Sequence, residues 1–281
     1  MTWFWLSILV GLFFATSKMF ARVALKGEND ALAFTAVHSG IAGIVLLPLI
    51  VVNMHFPIQP LTWLFFGIMV SLSFLSDWSS FKALQTTDVS LYQIVNQVGL
   101  VLALLGGLLF FAELLTANKV VAIILITLGV IVALYEHQHL AWNIGIRWTV
   151  VSTVTSVLAS MGSKRTLYDF SEFAFAAVEM FSIGMLCLVC MRRTSAVRIV
   201  QVFRRQPFAI VCSGILFAAM EVTYFYALSL GEASKVIPLT KTGLVFSLLG
   251  GIFLLGERQH LNKKISGTIL ILLGVLLLYP F

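Results

Sequence analysis

The sequence predicts an all-α membrane protein: ten transmembrane helices arranged as two inverted five-helix repeats. Three observations carry this reading. Of the 281 residues, 60% are hydrophobic and 11% charged, with a mean hydropathy of +1.02, so there is too little polar surface to cover a water-soluble globule of this size. The apolar residues fall into ten runs, each near the roughly 20 residues that a helix needs to cross the hydrocarbon core. Finally, residues 99–113 (GLVLALLGGLLFFAE) return 144 positions later as residues 243–257 (GLVFSLLGGIFLLGE), with Gly, Leu, Val, Leu, Leu, Gly, Gly and Glu at matching places.

The ten expected spans run over residues 3–24, 32–52, 61–82, 88–111, 117–135, 142–163, 173–191, 207–229, 233–255 and 264–280, which leaves no room for a soluble domain. All must be helical, because a backbone in lipid has to satisfy its own hydrogen bonds. The first run lacks a basic leader and reads as a permanent span, not a cleaved signal. The longest polar gap, RRTSAVRIVQVFRRQ after Met191, has the pattern of a short amphipathic segment lying along the membrane surface.

The duplication extends beyond its best-matched stretch. Phe81, Ala83 and Leu84 recur as Phe225, Ala227 and Leu228, while Phe34, Ala36, Val37 and Gly43 recur as Phe175, Ala177, Val178 and Gly184. Ser17-Lys18 meets Ser163-Lys164, and ILITLGV and ILILLGV close spans 5 and 10 at Val130 and Val275. The expected division is a first unit over residues 1–140 and a second over 141–281. Each unit holds an odd number of spans, so the second enters the membrane from the opposite side. Inverted repeats of this kind place a site near the bilayer midplane, between the halves, in many secondary transporters.

Equivalent loops differ sharply in charge. The loop between spans 2 and 3 has no Lys or Arg, whereas its counterpart between spans 7 and 8 carries Arg192, Arg193, Arg198, Arg204 and Arg205. Odd-numbered loops hold 12 of the 18 basic residues, and by the positive-inside rule they face the cytoplasm, with both termini outside. In this setting the net charge of +6 is a topology signal, and a nucleic-acid partner is not expected. The three cysteines, Cys187, Cys190 and Cys212, fall in apolar runs; the Cys187/Cys190 pair has no second pair or nearby histidine and reads as buried small hydrophobes. His137 and His139 read as an interfacial loop, so neither a metal nor another cofactor is expected.

Residues 231–281, with Pro238, VFSLLGGIFLLGE and ISGTILILLGVLLL, and the weaker first copy through Gly106-Gly107, Glu113 and Leu128-Gly129-Val130, resemble the drug/metabolite transporter superfamily, in particular its ten-helix EamA-type branch. The likeness covers essentially the whole chain. One departure is the absence of a proline that such sequences often carry before the VF pair; Leu100 and Leu244 stand there, each preceded by a glycine, so any kink must come from Gly99 and Gly243. The resemblance implies a small-solute carrier, without naming the solute, and makes Glu113 and Glu257 structural helix-end residues.

Ionisable groups inside a span cost roughly 2.5–3.5 kcal/mol each unless paired or hydrated, which makes them candidates for function. Here they fall at matching positions of the repeat. Asp77 aligns with Glu221, His38 with Glu179, Asn96 and Gln97 with Thr240 and Lys241, and Lys18 with Lys164. Tyr92, Asn96 and Gly99 share one face of span 4, and Tyr224 follows Glu221 by a turn. The candidate substrate-binding and coupling residues are therefore Lys18, His38, Asp77, Tyr92, Asn96, Gln97, Glu179, Glu221, Tyr224, Thr240 and Lys241, converging on one cavity. Lys241 is the leading candidate, with an ion pair to Glu221 or Asp77 as its structural alternative.

These readings point to a non-enzymatic, secondary-active carrier of a small polar metabolite, amino-acid-like or another small organic solute, in a bacterial plasma membrane. The expected partners are the solute, membrane lipids and a proton or counter-substrate; the chain acts as a monomer or homodimer. No ATP-binding P-loop is present, so the energy comes from a gradient. Two other classes compete: an intramembrane hydrolase using Asp77 and Glu221, although SFLSDWSS lacks a GxGD motif, and a channel or lipid translocator.

Overall fold

The computed structural model describes residues 2–25, 30–51, 55–86, 116–134, 144–254 and 261–277, with 92, 95–96, 98–100, 102–103 and 106 between them. Among these residues the fold is all-α. Spans 1 to 3 are α1 (Thr2–Leu25), α2 (Ala31–Ile50) and α3 (Pro60–Thr86). The described parts of span 4 are helical, and span 5 is α4 (Ala117–Leu134). Spans 6 and 7 are α5 (Ile144–Thr166) and α6 (Glu172–Met191). A 3-10 turn (Arg192–Thr194) leads into the short α7 (Ser195–Arg205), then α8 (Pro207–Leu230), α9 (Ala233–Thr240), α10 (Gly243–Leu254) and α11 (Leu261–Leu277). Helices α1, α2, α3, α5, α6 and α8 are long and apolar enough to cross a membrane, while α4 and α11 contribute shorter apolar helices.

The dominant helix contacts run between the two halves of the chain: α1 packs on α8, α3 on α5, α2 on α6 and α4 on α11. This set is unchanged when each span is exchanged for its counterpart five spans away, as a duplicated, inverted fold requires. The exchange holds down to single residues. In the α4–α11 crossing, a Cβ on Gly129 would meet Gly267 and Ile271, and one on Gly274 would meet Ala122 and Ile126. At the 145-residue offset that relates ILITLGV to ILILLGV, these are the same contact made twice. Gly99 packs against Thr153 and Val157 of α5, and Gly243 against Gly11 of α1, again as counterparts.

Spans 2 and 7 start alike as well. Asp30 caps α2 by accepting from the backbone N–H groups of Leu32 and Ala33, and Ser171 caps α6 by accepting from that of Ala174. Reciprocal serine clasps join the long pairs. Ser17 and Ser213 each donate to the other's carbonyl across α1–α8 (2.9 and 3.0 Å), as do Ser76 and Ser152 across α3–α5 (3.2 and 3.0 Å). Such bonds hold helices together where lipid offers no hydrophobic drive to associate.

Span 9 departs from the single helix expected over residues 233–255. It breaks at Lys241-Thr242 into α9 and α10, and from Pro238 to Val245 the chain is carried by four i→i−3 hydrogen bonds of 2.8–3.1 Å. Pro238 removes one donor, and the Thr240 and Thr242 hydroxyls return bonds of 2.8 and 2.7 Å to the carbonyls of Ile237 and Leu239. The break coincides with a close backbone approach of α1, where a Cβ on Gly243 would lie 2.5 Å from the Gly11 carbonyl oxygen. The break thus falls directly before Gly243, with Pro238 one turn earlier.

Candidate functional site

A cavity of about 140 Å³ lies among α1, α3, α5, α6, α8, span 4 and the break in span 9. Of the sequence-derived candidates, Lys18, Asp77, Tyr92, Asn96, Glu179, Glu221, Tyr224, Thr240 and Lys241 all line it. Gln97, Glu113, Glu257, His137 and His139 lie outside the described residues.

Neither ammonium group contacts a cavity carboxylate directly, although Lys18 lies within electrostatic reach of Asp77 and Glu221. Lys18, buried at 3% exposure, donates to the Ser80 hydroxyl at 2.9 Å and sits 4.2 Å from the Phe81 ring centroid. Lys241 donates to Asn96 Oδ1 at 3.3 Å, so its partner is Asn96 and not the Glu221 or Asp77 of the structural alternative; Thr153 donates to the same oxygen at 3.2 Å. Among the described residues, no ion pair within 4.0 Å joins either lysine to Asp77, Glu179 or Glu221. Glu179 accepts from Ser73 at 2.6 Å through Oε1, while its buried Oε2 has no hydrogen-bond partner among the described residues. Asp77, Glu179 and Glu221 lie within electrostatic reach of one another. An unpaired carboxylate oxygen in a buried site costs free energy that a bound cationic or hydroxyl group recovers.

One candidate, His38, and Lys164, the counterpart of Lys18, fall elsewhere. His38 is fully buried but does not line the cavity: Phe34, Phe81 and Phe217 enclose it at ring distances of 5.6, 5.1 and 4.5 Å, and its nitrogens lack well-formed hydrogen bonds to the described residues. Its counterpart Glu179 does face the cavity: Phe34 and Phe81 recur as Phe175 and Phe225, but Phe217 beside His38 stands where the other half has Ser73, the hydroxyl that binds Glu179. Lys164 turns away as well, donating to the Gly231 carbonyl at 2.9 Å beyond the end of α8. Trp78 and Trp148, whose rings lie 5.3 Å apart, hold Lys82 between them and do not line the cavity. Cys187 is buried and Cys190 exposed, so the two thiols of the CxxC face different surroundings.

What the sequence reading missed is serine. Ser73, Ser76 and Ser80 from α3, and Ser152, Ser156, Ser160 and Ser163 from α5, line the cavity. The α5 set is spaced at 4, 4 and 3 residues, one helical face, and that period was the available signal. With the Tyr92 hydroxyl, which donates to Ser80 Oγ at 3.1 Å, they give the cavity a hydroxyl-rich lining on its α3 and α5 side.

An integral, multi-pass membrane protein with a polar cavity built from both halves of the chain is the class that fold and site define. The chain matches the EamA-like transporter family over residues 1–135 and 143–279, and it belongs to that family. It is 39% identical over 69 residues to an uncharacterized transporter in the cobO 3'region of Sinorhizobium sp., covering 25% of this chain and 48% of that protein. It is 25% identical over 181 residues to a putative sugar uptake protein (lin0215) of Listeria innocua serovar 6a, covering 62% of this chain and 63% of that one. The chain therefore spans about half to under two thirds of these curated relatives. A solved protein crystal structure superposes with a TM-score of 0.73 at 16% identity, over 98% of this chain and 95% of the other, a likeness of fold.

Proposed function

We propose that this chain is a secondary-active carrier that moves a small polar, amino-acid-like metabolite by alternating access through the central cavity. Its units are residues 1–140 and 141–281. The observation that carries the reading is the composition of the cavity wall: Lys18, Asp77 and Asn96 come from one half and Glu179, Glu221 and Lys241 from the other. A solute bound there is held by both units at once, so rocking one unit against the other changes its exposure. Separated ammonium and carboxylate groups suit a solute that itself carries both charges. The charge asymmetry of the loops supports odd-numbered loops in the cytoplasm and both termini outside, and the relatives' sources support a bacterial plasma membrane. The family supports a carrier over an enzyme.

A second reading, a neutral sugar, is favoured by the serine wall and by the name of the Listeria relative. Uptake and counter-exchange of labelled amino acids and hexoses in proteoliposomes separates the two. The carrier reading expects saturable exchange that is abolished in Lys241→Ala and Glu221→Gln while both variants remain folded. Full transport by both variants removes the site; flux approaching free diffusion replaces the carrier by a channel.

A further inference from the structure

The amphipathic helix α7 is not used by the cavity. It joins the end of α6 to the start of α8, so it sits at one end of both spans. Its inner face is fixed to the protein: Val202 is buried, Ile199 packs on the core, and Arg198 Nε donates to Asp30 Oδ2 at the cap of α2. Its outer face is open and apolar, with Val197, Val200 and Phe203 exposed at 61%, 46% and 39%. The adjoining span ends also expose apolar residues, Val189 and Phe208. Arg193 and Arg204, both exposed, flank it, and no acidic residue occurs from position 180 to 220.

We propose that α7 is a docking site for the anionic phospholipid headgroups of one leaflet, with Val197, Val200 and Phe203 in the acyl boundary and Arg193 and Arg204 on the lipid phosphates. A helix with an apolar stripe beside cations lies in the interface, and its cations prefer anionic lipid. Guanidinium groups pair with phosphate oxygens through two parallel N–H donors. The absence of carboxylates along the segment leaves the anion to be supplied from outside it. Because Arg198 ties α7 to the start of α2, lipid seated here braces the α2–α6 contact between the halves of the chain.

The test uses the purified full-length chain in detergent, with its Tm measured after adding phosphatidylglycerol, phosphatidylcholine or inorganic phosphate. Phosphatidylglycerol is expected to raise Tm a few degrees above phosphatidylcholine, since a ligand of the folded state stabilises it. Salt at about 0.5 M is expected to erase that difference by screening. Arg193→Gln/Arg204→Gln loses the difference and Arg193→Lys/Arg204→Lys keeps most of it. An equal rise with phosphatidylcholine, the same rise with inorganic phosphate alone, or an undiminished rise in the Gln variant overturns the proposal. Should the Gln variant fail to fold, a phosphatidylglycerol effect that survives high salt overturns it equally.

Discussion

Lys241 shows how a single side chain takes its role from backbone geometry. The break between α9 and α10 frees it from a helix surface and turns it toward Asn96, and the break itself depends on two glycines whose backbones touch. Gly243→Ala therefore places a methyl group against the Gly11 carbonyl, where no flexible side chain can give way. We expect it to lower stability by about 1–3 kcal/mol, the usual cost of overfilling a close contact, read as a fall in Tm; Gly40→Ala, where a Cβ meets nothing within 4 Å, is the silent control. Most of the cavity's charged residues could be found in the sequence, because an ion inside an apolar run is conspicuous. The serines were not, since a hydroxyl in a helix can satisfy itself on the preceding turn, as Ser7 does on Trp3. Nor was the withdrawal of His38, which depends on three phenylalanines brought together only by tertiary packing.

Among the elements, the ends of the helices carry the testable electrostatics. Asp30 both caps α2 and pairs with Arg198 of α7. Partial burial raises the pKa of its carboxyl, but the Arg198 guanidinium and the capping N–H groups outweigh this and hold it below its ordinary value of 3.8. A carboxylate whose folded pKa is depressed stabilises the fold above its unfolded pKa and loses that contribution as pH falls through the folded value. Asp30→Asn retains the cap but not the charge, so its Tm deficit is expected to be small, under roughly 1 kcal/mol for a pair about a third exposed. That deficit stays constant from about pH 8 to about pH 5 and shrinks only as pH falls below the ordinary carboxylate range. Asp30→Ala removes both roles and costs about 1 kcal/mol more. The amphipathic pattern of α7 was plain in the sequence. The break in span 9 was only half legible: Pro238 and Gly243 were visible, but the α1 backbone that selects Lys241-Thr242 was not.

At the scale of the whole molecule, exchange-symmetric contacts make each half depend on the other. The buried Lys119 of α4 pairs with Glu232 at the start of α9, an ion pair that joins span 5 to the loop between spans 8 and 9. Burial pushes the Glu232 carboxyl up, but Lys119 and Lys235 together hold it below its usual range. A double-mutant cycle with Lys119→Met and Glu232→Gln is expected to give a coupling of roughly 0.5–3 kcal/mol, and additive Tm changes would remove this link between the halves. The duplication made this architecture legible from one chain, because apolar runs and their offsets survive without knowledge of side-chain geometry; helix rotation, which decides what faces the cavity, does not. The central claim is that the cavity opens to each side of the membrane in turn. The direct measurement is thiol labelling of Ser156→Cys, in a background lacking Cys187, Cys190 and Cys212, with a membrane-impermeant reagent applied from either side of sealed proteoliposomes. The account predicts labelling from both sides, slowed by a transported solute, whereas labelling from one side only, or none, contradicts it.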